Sequence, residues 1–226
     1  MPITYENVLP WGRSYDEYVR MFALSEADLK KRLLGCGDGP AAFNAQLNRR
    51  GRHMVSVDPV YQFGRQQIAA RIGEVTGVIL EQTGQNSQLF RWDRIRNLDE
   101  LSRLRHAAMG EFLEDFDAGL AEGRYIAAEL PRLPLADKSF DLALCSHFLF
   151  LYSDQLDLDF HIGAISEMLR VAPEVRIFPV LDVNARVSPY LMDILTLFNK
   201  QGEARLVPVD YEFQIGANQM LQIVVS

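Results

Sequence analysis

Cysteine is scarce: 226 residues contain only Cys36 and Cys145. Each closes an apolar run, where a strand would bury it, so a disulfide framework is excluded as the source of stability. The four histidines, His53, His106, His147 and His161, show no zinc-ligand spacing with either cysteine or with one another. No metal is expected. Long hydrophobic runs are missing too. No stretch of about 18 apolar residues offers a membrane-spanning helix. The opening MPITYENVLPWGRSYDEY lacks the basic start and apolar core of a secretory leader, so a reducing cytoplasm is the expected home. Positive charge is short: 23 Lys and Arg face 30 Asp and Glu, a net charge of −7. That balance argues against the broad basic footprint that nucleic-acid phosphates need. The densest basic group, Arg91, Arg94, Arg96, Arg103 and Arg105, is interrupted by Asp93, Asp99 and Glu100 and reads as a solvated helical face.

Hydrophobic residues make up 48% and charged residues 23%, an ordinary globular balance. The length suits one domain over residues 1–226. Within it, apolar spacing predicts a helix from Tyr15 to Lys31, with Ser25 and Asp28 resembling an N-cap signal. A strand is expected near Arg32–Leu34, a helix over Pro40–Arg50 and a strand over HMVSVDP. From Tyr61 to Arg124 the pattern is helical, with breaks near Gly84–Ser87 and at Asn97. One helix is enough for a crossover between neighbouring parallel strands, so residues 61–124 read as a helical insertion or cap, with residues 1–30 as an N-terminal helical segment. YIAAEL, FDLALCSHFLFLY and VRIFPVLDV read as strands, the second buried on both faces. FHIGAISEMLRV and SPYLMDILTLFNKQG read as helices. EARLVPVDYEF and MLQIVVS close the chain as strands. This alternation indicates an α/β fold with a mostly parallel sheet. The last two strands are too closely connected for a parallel crossover and should pair antiparallel.

One short stretch carries the chemistry. LLGCGDGPAAFN places Gly35, Gly37 and Gly39 at a strand-to-helix turn, the end of the sheet where α/β folds bind ligands. Missing Cβ atoms let a ligand lie against backbone N–H groups. The spacing is neither the G-x-G-x-x-G of a dinucleotide loop nor a G-x-x-x-x-G-K-[ST] phosphate loop. A nucleoside without pyrophosphate fits better. Asp58 ends the next strand, and an ionised carboxylate there can accept from two ribose hydroxyls. A turn-forming role ahead of Pro59 is the plainer alternative.

LLGCGDGPAAFN, VSVDP, ELPRLPLADKSFDLALCSH and EMLRV, in that order, resemble the successive motifs of class I S-adenosylmethionine-dependent methyltransferases. The resemblance runs from about Leu33 to Asp182, apart from the helical insertion. It implies a Rossmann-like three-layer αβα sandwich with a seven-stranded, mostly parallel sheet and an antiparallel last strand. It implies S-adenosyl-L-methionine as cofactor. Gly35, Cys36 and Gly37 would line its methionine and ribose through backbone atoms, and Asp58 would hold the ribose diol. Pro59 and Val60 would pack near the adenine, with Glu129 and the Leu130 N–H at its polar edge. Ser146 and His147 would meet the methionine end and the acceptor. Two family features are absent: Leu33 stands where an acidic residue is usual, and RVAPEVRIF lacks the usual glycine pair.

Methyl transfer from a sulfonium is an in-line displacement, in which the protein chiefly aligns the nucleophile. A base is needed only if the acceptor must lose a proton. His147 is the candidate, against the plainer reading of a packed loop histidine. Phe148, Phe150 and Tyr152 would wall an acceptor or fill the core. Arg13 and Tyr15, near Trp11, would fold over the cofactor as a lid or form a surface segment; Asn44 faces loop or solvent. Acidic net charge favours a small molecule as acceptor, or a protein, over nucleic acid. Three other functions share part of this pattern. A cofactor-binding regulator or scaffold without turnover is suggested by Leu33. A nicotinamide oxidoreductase is opposed by the glycine spacing. An interaction module would use the helical insertion.

Overall fold

The computed structural model describes residues 2–5 and 8–225, so the last residue of the MLQIVVS strand expectation lies outside the described residues. The apolar runs collect into one seven-stranded sheet. In chain order the elements are α1 (Tyr15–Met21), β1 (Leu33–Cys36), α2 (Phe43–Arg49), β2 (Met54–Val57), α3 (Arg65–Gln85) and α4 (Leu98–Ala121). Then follow β3 (Tyr125–Ile126), β4 (Leu142–Ser146), α5 (Leu158–Val171), β5 (Glu174–Phe178), α6 (Leu191–Phe198), β6 (Glu203–Pro208) and β7 (Gln219–Val224).

The strand order is β3-β2-β1-β4-β5-β7-β6. β3, β2, β1, β4 and β5 pair in parallel. β7 runs antiparallel to both β5 and β6, as the short connection required. Every residue of β1 and β4 is buried, which is why both segments read as continuous apolar runs. One core cluster packs α5 and α6 on one face through Ala164, Ile165, Met168, Leu191, Ile194 and Phe198. A second packs α1 and α2 on the other through Tyr18, Met21, Phe22, Phe43 and Leu47. The result is three layers. The strand order reverses between β1 and β4, so their carboxyl ends open the crevice where such sheets take ligands.

The long helical stretch is two helices, with Asn97 capping the second: its Oδ1 accepts from the Glu100 N–H at 2.9 Å. Tyr61, Ile68, Ile72, Met109, Phe112, Phe116 and Tyr125 form a separate cluster that fastens α3 and α4 to the sheet edge. Their connection reaches back over the sheet. Arg91 N donates to the Phe213 carbonyl at 2.7 Å, and Ile215 N to the Leu89 carbonyl at 2.9 Å.

Several local expectations are corrected. The first helix stops at Met21 because the chain turns at Ala23, whose φ is +45°. Ser25 and Asp28 do cap each other, but over a single 3₁₀ turn, Asp28–Lys30. β1 runs to Cys36 rather than ending at Leu34. YIAAEL contributes only Tyr125 and Ile126, because only Ser56 and Val57 of β2 remain to pair with it. FDLALCSHFLFLY leaves the sheet after Ser146 and turns through His147 at φ +51°. Phe150 and Tyr152 therefore lie in a buried 3₁₀ turn, not on an alternating strand.

Candidate active site

At the carboxyl ends of β1 and β4 the chain encloses a cavity of about 710 Å³, within the usual range for small-molecule sites. Its sheet end is bounded by Gly37, Asp38, Gly39, Asp58, Pro59, Val60, Glu129, Leu130, Ser146 and His147. The sequence-predicted residues from Gly37 onward are thus brought together, although they come from four separate connections. Gly35 and Cys36 stand behind this wall, inside β1.

Each glycine has its own reason. A Cβ on Gly35 would lie 2.5 Å from the Asp38 carboxylate, so Gly35 makes room for a side chain of the same loop. Gly37 has φ +62° and lies against the Phe148 ring, 3.0 Å from where its Cβ would be. Gly39 has φ +51°, and its Cβ would meet nothing nearer than Asp58 Oδ2 at 3.9 Å. Left-handed backbone favours glycine at both of the latter positions.

Asp58 caps the 3₁₀ turn Pro59–Gln62, its Oδ1 accepting from Val60 N at 2.8 Å, while Oδ2 accepts from Gly39 N at 2.8 Å. The carboxylate thereby ties the end of β2 to the glycine loop. Burial raises its pKa to about 6, with the Val60 and Gly39 N–H groups pulling the other way. An ionised carboxylate has roughly four lone-pair sites, so two remain for a diol. The turn-forming and diol-binding readings are compatible.

Asp38, between the last two glycines, is a buried acid that the motif alone did not single out. Tyr18 donates to its Oδ1 and Ser56 to its Oδ2, both at 2.6 Å. Burial raises its pKa despite those two donors. The signal is weak in sequence, because its partners lie on α1 and β2.

Glu129 is exposed, and its backbone pairs with Arg132 in a short bridge. The segment after it is clamped from behind. Leu133 N donates to Glu167 at 2.7 Å, and Arg170 donates to the Leu133 and Leu135 carbonyls. The EMLRV motif therefore fixes the loop that carries Glu129 and Leu130.

Ser146 Oγ lies 2.9 Å from His147 Nδ1, and the His147 N–H donates to the Phe178 carbonyl at 2.6 Å. A non-glycine residue at φ +51° stores strain, here on the cavity wall. Burial pushes the imidazole well below its ordinary pKa, and nearby Arg13 and Arg105 push the same way. His147 is neutral at physiological pH and a weak base.

The far end of the cavity is apolar and aromatic. Trp11, Phe63, Ile79, Phe90, Leu101, Leu151, Tyr152, Phe160 and Phe213 form its wall. Residues 61–85 supply part of it, as does the N-terminal segment. That segment is strapped down rather than loose. Thr4 exchanges backbone hydrogen bonds with the Gln82 amide, and Leu9 N donates to Tyr152 Oη at 3.0 Å. Ala42 N donates to the Arg13 carbonyl at 3.0 Å. A Cβ on Gly12 would collide with the Pro40 carbonyl. Arg13 faces the cavity. Tyr15 does not: its ring packs at a tilt against Phe43, beneath the Arg50 guanidinium.

Two polar residues expected near solvent are buried. Arg105 is 1% exposed and grips Glu17 through two bonds of 2.5 and 2.7 Å, so it is no part of a solvated face. Burial opposes the charge on Glu17, but the guanidinium outweighs it and holds the carboxyl well below its usual range. Asn44 is 1% exposed and bridges Met54, Ser56 and Arg124. Arg91, Arg94 and Arg96 do face solvent, each paired with a carboxylate of Glu212, Asp210 or Glu100.

The chain is 33% identical over 213 residues to the uncharacterised protein MJ0045 of Methanocaldococcus jannaschii, covering 94% of each. It belongs to that protein's family. No protein-family model matches it. Among solved structures, it superposes on magnesium protoporphyrin IX methyltransferase (ChlM) from Synechocystis PCC 6803 with bound SAH at a TM-score of 0.51. The identity is 13%, and the match covers 92% of this chain and 80% of the other. The fold is that of the class I S-adenosylmethionine-dependent methyltransferases. Among the described residues no helix is long and apolar enough to cross a membrane, and no cluster of His, Cys, Asp and Glu could hold a metal ion.

Proposed function

We propose that this member of the MJ0045 family transfers a methyl group from S-adenosylmethionine to a small, largely apolar acceptor. One observation carries the reading. The Gly37–Gly39 backbone and the Asp58 carboxylate bound one end of a cavity whose other end is aromatic. The residues present fit the nucleoside: Gly39 leaves open space where a Cβ would intrude, and Asp58 keeps acceptor capacity for a diol. ChlM was crystallised with SAH on the same fold.

In this reading Asp58 binds the ribose hydroxyls, and Pro59 and Val60 flank the base. The Leu130 N–H and Glu129, both on the cavity wall, would meet the polar edge of the adenine. When bound, the cofactor supplies a sulfonium-activated methyl group. The chain's own work is alignment and exclusion of water. The strap of residues 8–13, α3 and the Phe90–Phe213 contact close the far end around the acceptor. Residues 61–124 serve as the cap within a single methyltransferase domain. The neutral His147 imidazole orients the acceptor and can take a proton from it, but its depressed basicity suits an acceptor that ionises readily. The enclosed, apolar chamber favours a small molecule over a protein or a nucleic acid.

Calorimetric titration with S-adenosylmethionine, S-adenosylhomocysteine and NADH tests the reading. Saturable binding of the first two and not the third is expected. Binding of NADH alone would overturn it. Consumption of the cofactor with an aromatic acceptor panel then separates an enzyme from a regulator that only binds.

A further inference from the structure

Three arginines line the cavity, and among the described residues Arg71 and Arg105 are paired with Glu74 and Glu17 while Arg13 is not. Arg13, on the N-terminal strap, lines the cavity. Its Nη1 donates to the Trp11 carbonyl. Its Nε is fully buried and has no hydrogen-bond partner among the described residues. No carboxylate of the described residues pairs with it. The nearby acids are already taken. Glu17 accepts two bonds from Arg105 and one from Tyr211 at 2.8 Å, besides those from Ser14. Asp38 accepts from Tyr18 and Ser56.

A guanidinium whose Nε is buried without a partner is costly, and a protein normally satisfies it. Burial, together with the Arg105 charge, lowers the Arg13 pKa to about 10, so it still carries its charge at neutral pH. The backbone around it is rigid. Gly12 is wedged against Pro40, and the Arg13 carbonyl accepts from Ala42 N at the start of α2. The guanidinium is therefore held in place before any ligand arrives, which lowers the ordering cost of binding. Its planar fork matches a carboxylate.

We propose that Arg13 is the anchor for a carboxylate of the ligand that fills this cavity. Two sources share that chemistry: the amino-acid end of the sulfur nucleoside, and an acid group on whatever small molecule fills the aromatic end. The first source rests on the methyltransferase reading; the second does not.

The test is calorimetry on the full chain with wild type, Arg13→Met and Arg13→Lys. The nucleoside probes are S-adenosylhomocysteine and 5′-methylthioadenosine, which lacks the amino-acid end. If the carboxylate is the cofactor's, Arg13→Met weakens S-adenosylhomocysteine about tenfold or more and leaves 5′-methylthioadenosine within about twofold. Arg13→Lys falls between. The acceptor probes are 3-phenylpropanoate and 3-phenylpropanamide. If the carboxylate is the acceptor's, the acid binds, the amide does not, and Arg13→Met abolishes the difference. A folded Arg13→Met protein that moves neither pair overturns the proposal. Should that variant not fold, wild type and Arg13→Lys decide: equal affinity within both probe pairs overturns it. Wild type that binds neither nucleoside sinks the methyltransferase reading alone, and the phenylpropanoate pair then decides the role of Arg13.

Discussion

If Asp58 holds the ribose diol, cofactor affinity must depend on pH in a way its surroundings dictate. Its pKa is raised to about 6 in the free protein, chiefly by burial. Hydroxyl donors favour the ionised form, so binding competes with protonation. Affinity should be full at pH 8, about halved at pH 6 and about tenfold weaker at pH 5, or about 1.4 kcal/mol. The effect on stability has the opposite sign. An unfolded Asp titrates near 3.9, so between about pH 4 and pH 6 the folded chain holds the extra proton. The protonated form's contribution is present below about pH 4 and is lost as pH rises through about 6. That loss is at most about 3 kcal/mol, less the screening of a side chain that opens on the cavity. The free protein should thus give up this term over the window in which its affinity rises, and the ligand-induced increase in Tm should grow with pH. The assay is calorimetric titration with 5′-methylthioadenosine, which has the diol without the amino-acid end, at pH 5, 6, 7 and 8. Asp58→Asn should bind more weakly and show a flat profile. A flat wild-type profile, or an unchanged slope in Asp58→Asn, would refute the assignment.

Gly39→Ala should cost about 1 kcal/mol of stability from left-handed strain, because its Cβ meets open space, yet should weaken nucleoside binding well beyond that; thermal melts with and without S-adenosylhomocysteine separate the two. Gly37→Val adds a collision with Phe148 and should lose both stability and binding, so normal binding by a folded Gly37→Val protein would show that the loop does not cradle the ligand. Arg105→Met leaves Glu17 buried without its cation and should destabilise by roughly 3–5 kcal/mol in urea melts, much of it recovered in Arg105→Met/Glu17→Met. Because Glu17 is held low, its contribution should be present above about pH 4.3 and fade as pH falls. His147, kept neutral by burial, should give no titration limb near pH 6.5 in a pH–rate profile, and such a limb that vanished in His147→Asn would contradict that.

What could be read from sequence follows the range of the forces involved. The strands were legible because burial on both faces writes a continuous apolar run, as in LALCS, and the order of motifs placed them in the sheet. The glycine-loop end of the cavity was legible for a similar reason: a strand end, a glycine turn and an acid at the next strand end are local features. Polar residues with distant partners were not. Asn44 reads as an ordinary helix residue until Arg124 arrives to fill its amide. Arg105 sits in an arginine-rich stretch and looks solvated until α4 packs it against Glu17 on α1. Asp38 looks like a turn former until Tyr18 and Ser56 close over it. The end of α1 was misplaced because Leu29 continues the apolar spacing of Tyr18, Met21 and Phe22 across a real break at Ala23.

These buried contacts explain why the glycine loop works as part of a larger unit. Asp38 needs Gly35 to make space, Tyr18 to donate from α1 and Ser56 to donate from β2. Asp58 ties the same loop to the β2 turn through Gly39. Arg105 holds Glu17 on α1, just past the strap that carries Gly12 and Arg13 over Pro40. The loop is thus braced by the N-terminal helix, two strands and the inserted helix before any ligand binds. Rigidity of this kind lets a site of modest area bind well, because little ordering remains to oppose association. It also explains the division of the cavity. The braced end presents fixed backbone and carboxylate groups, while residues 2–10 and α3 offer side chains that can vary without disturbing it. On the proposed reading, changes of acceptor within the family should therefore map to residues 2–10 and 65–92, and chimeras exchanging those segments with MJ0045 should exchange acceptor preference while leaving S-adenosylhomocysteine affinity within about threefold. Loss of nucleoside binding in a folded chimera would show that the two ends are not separable.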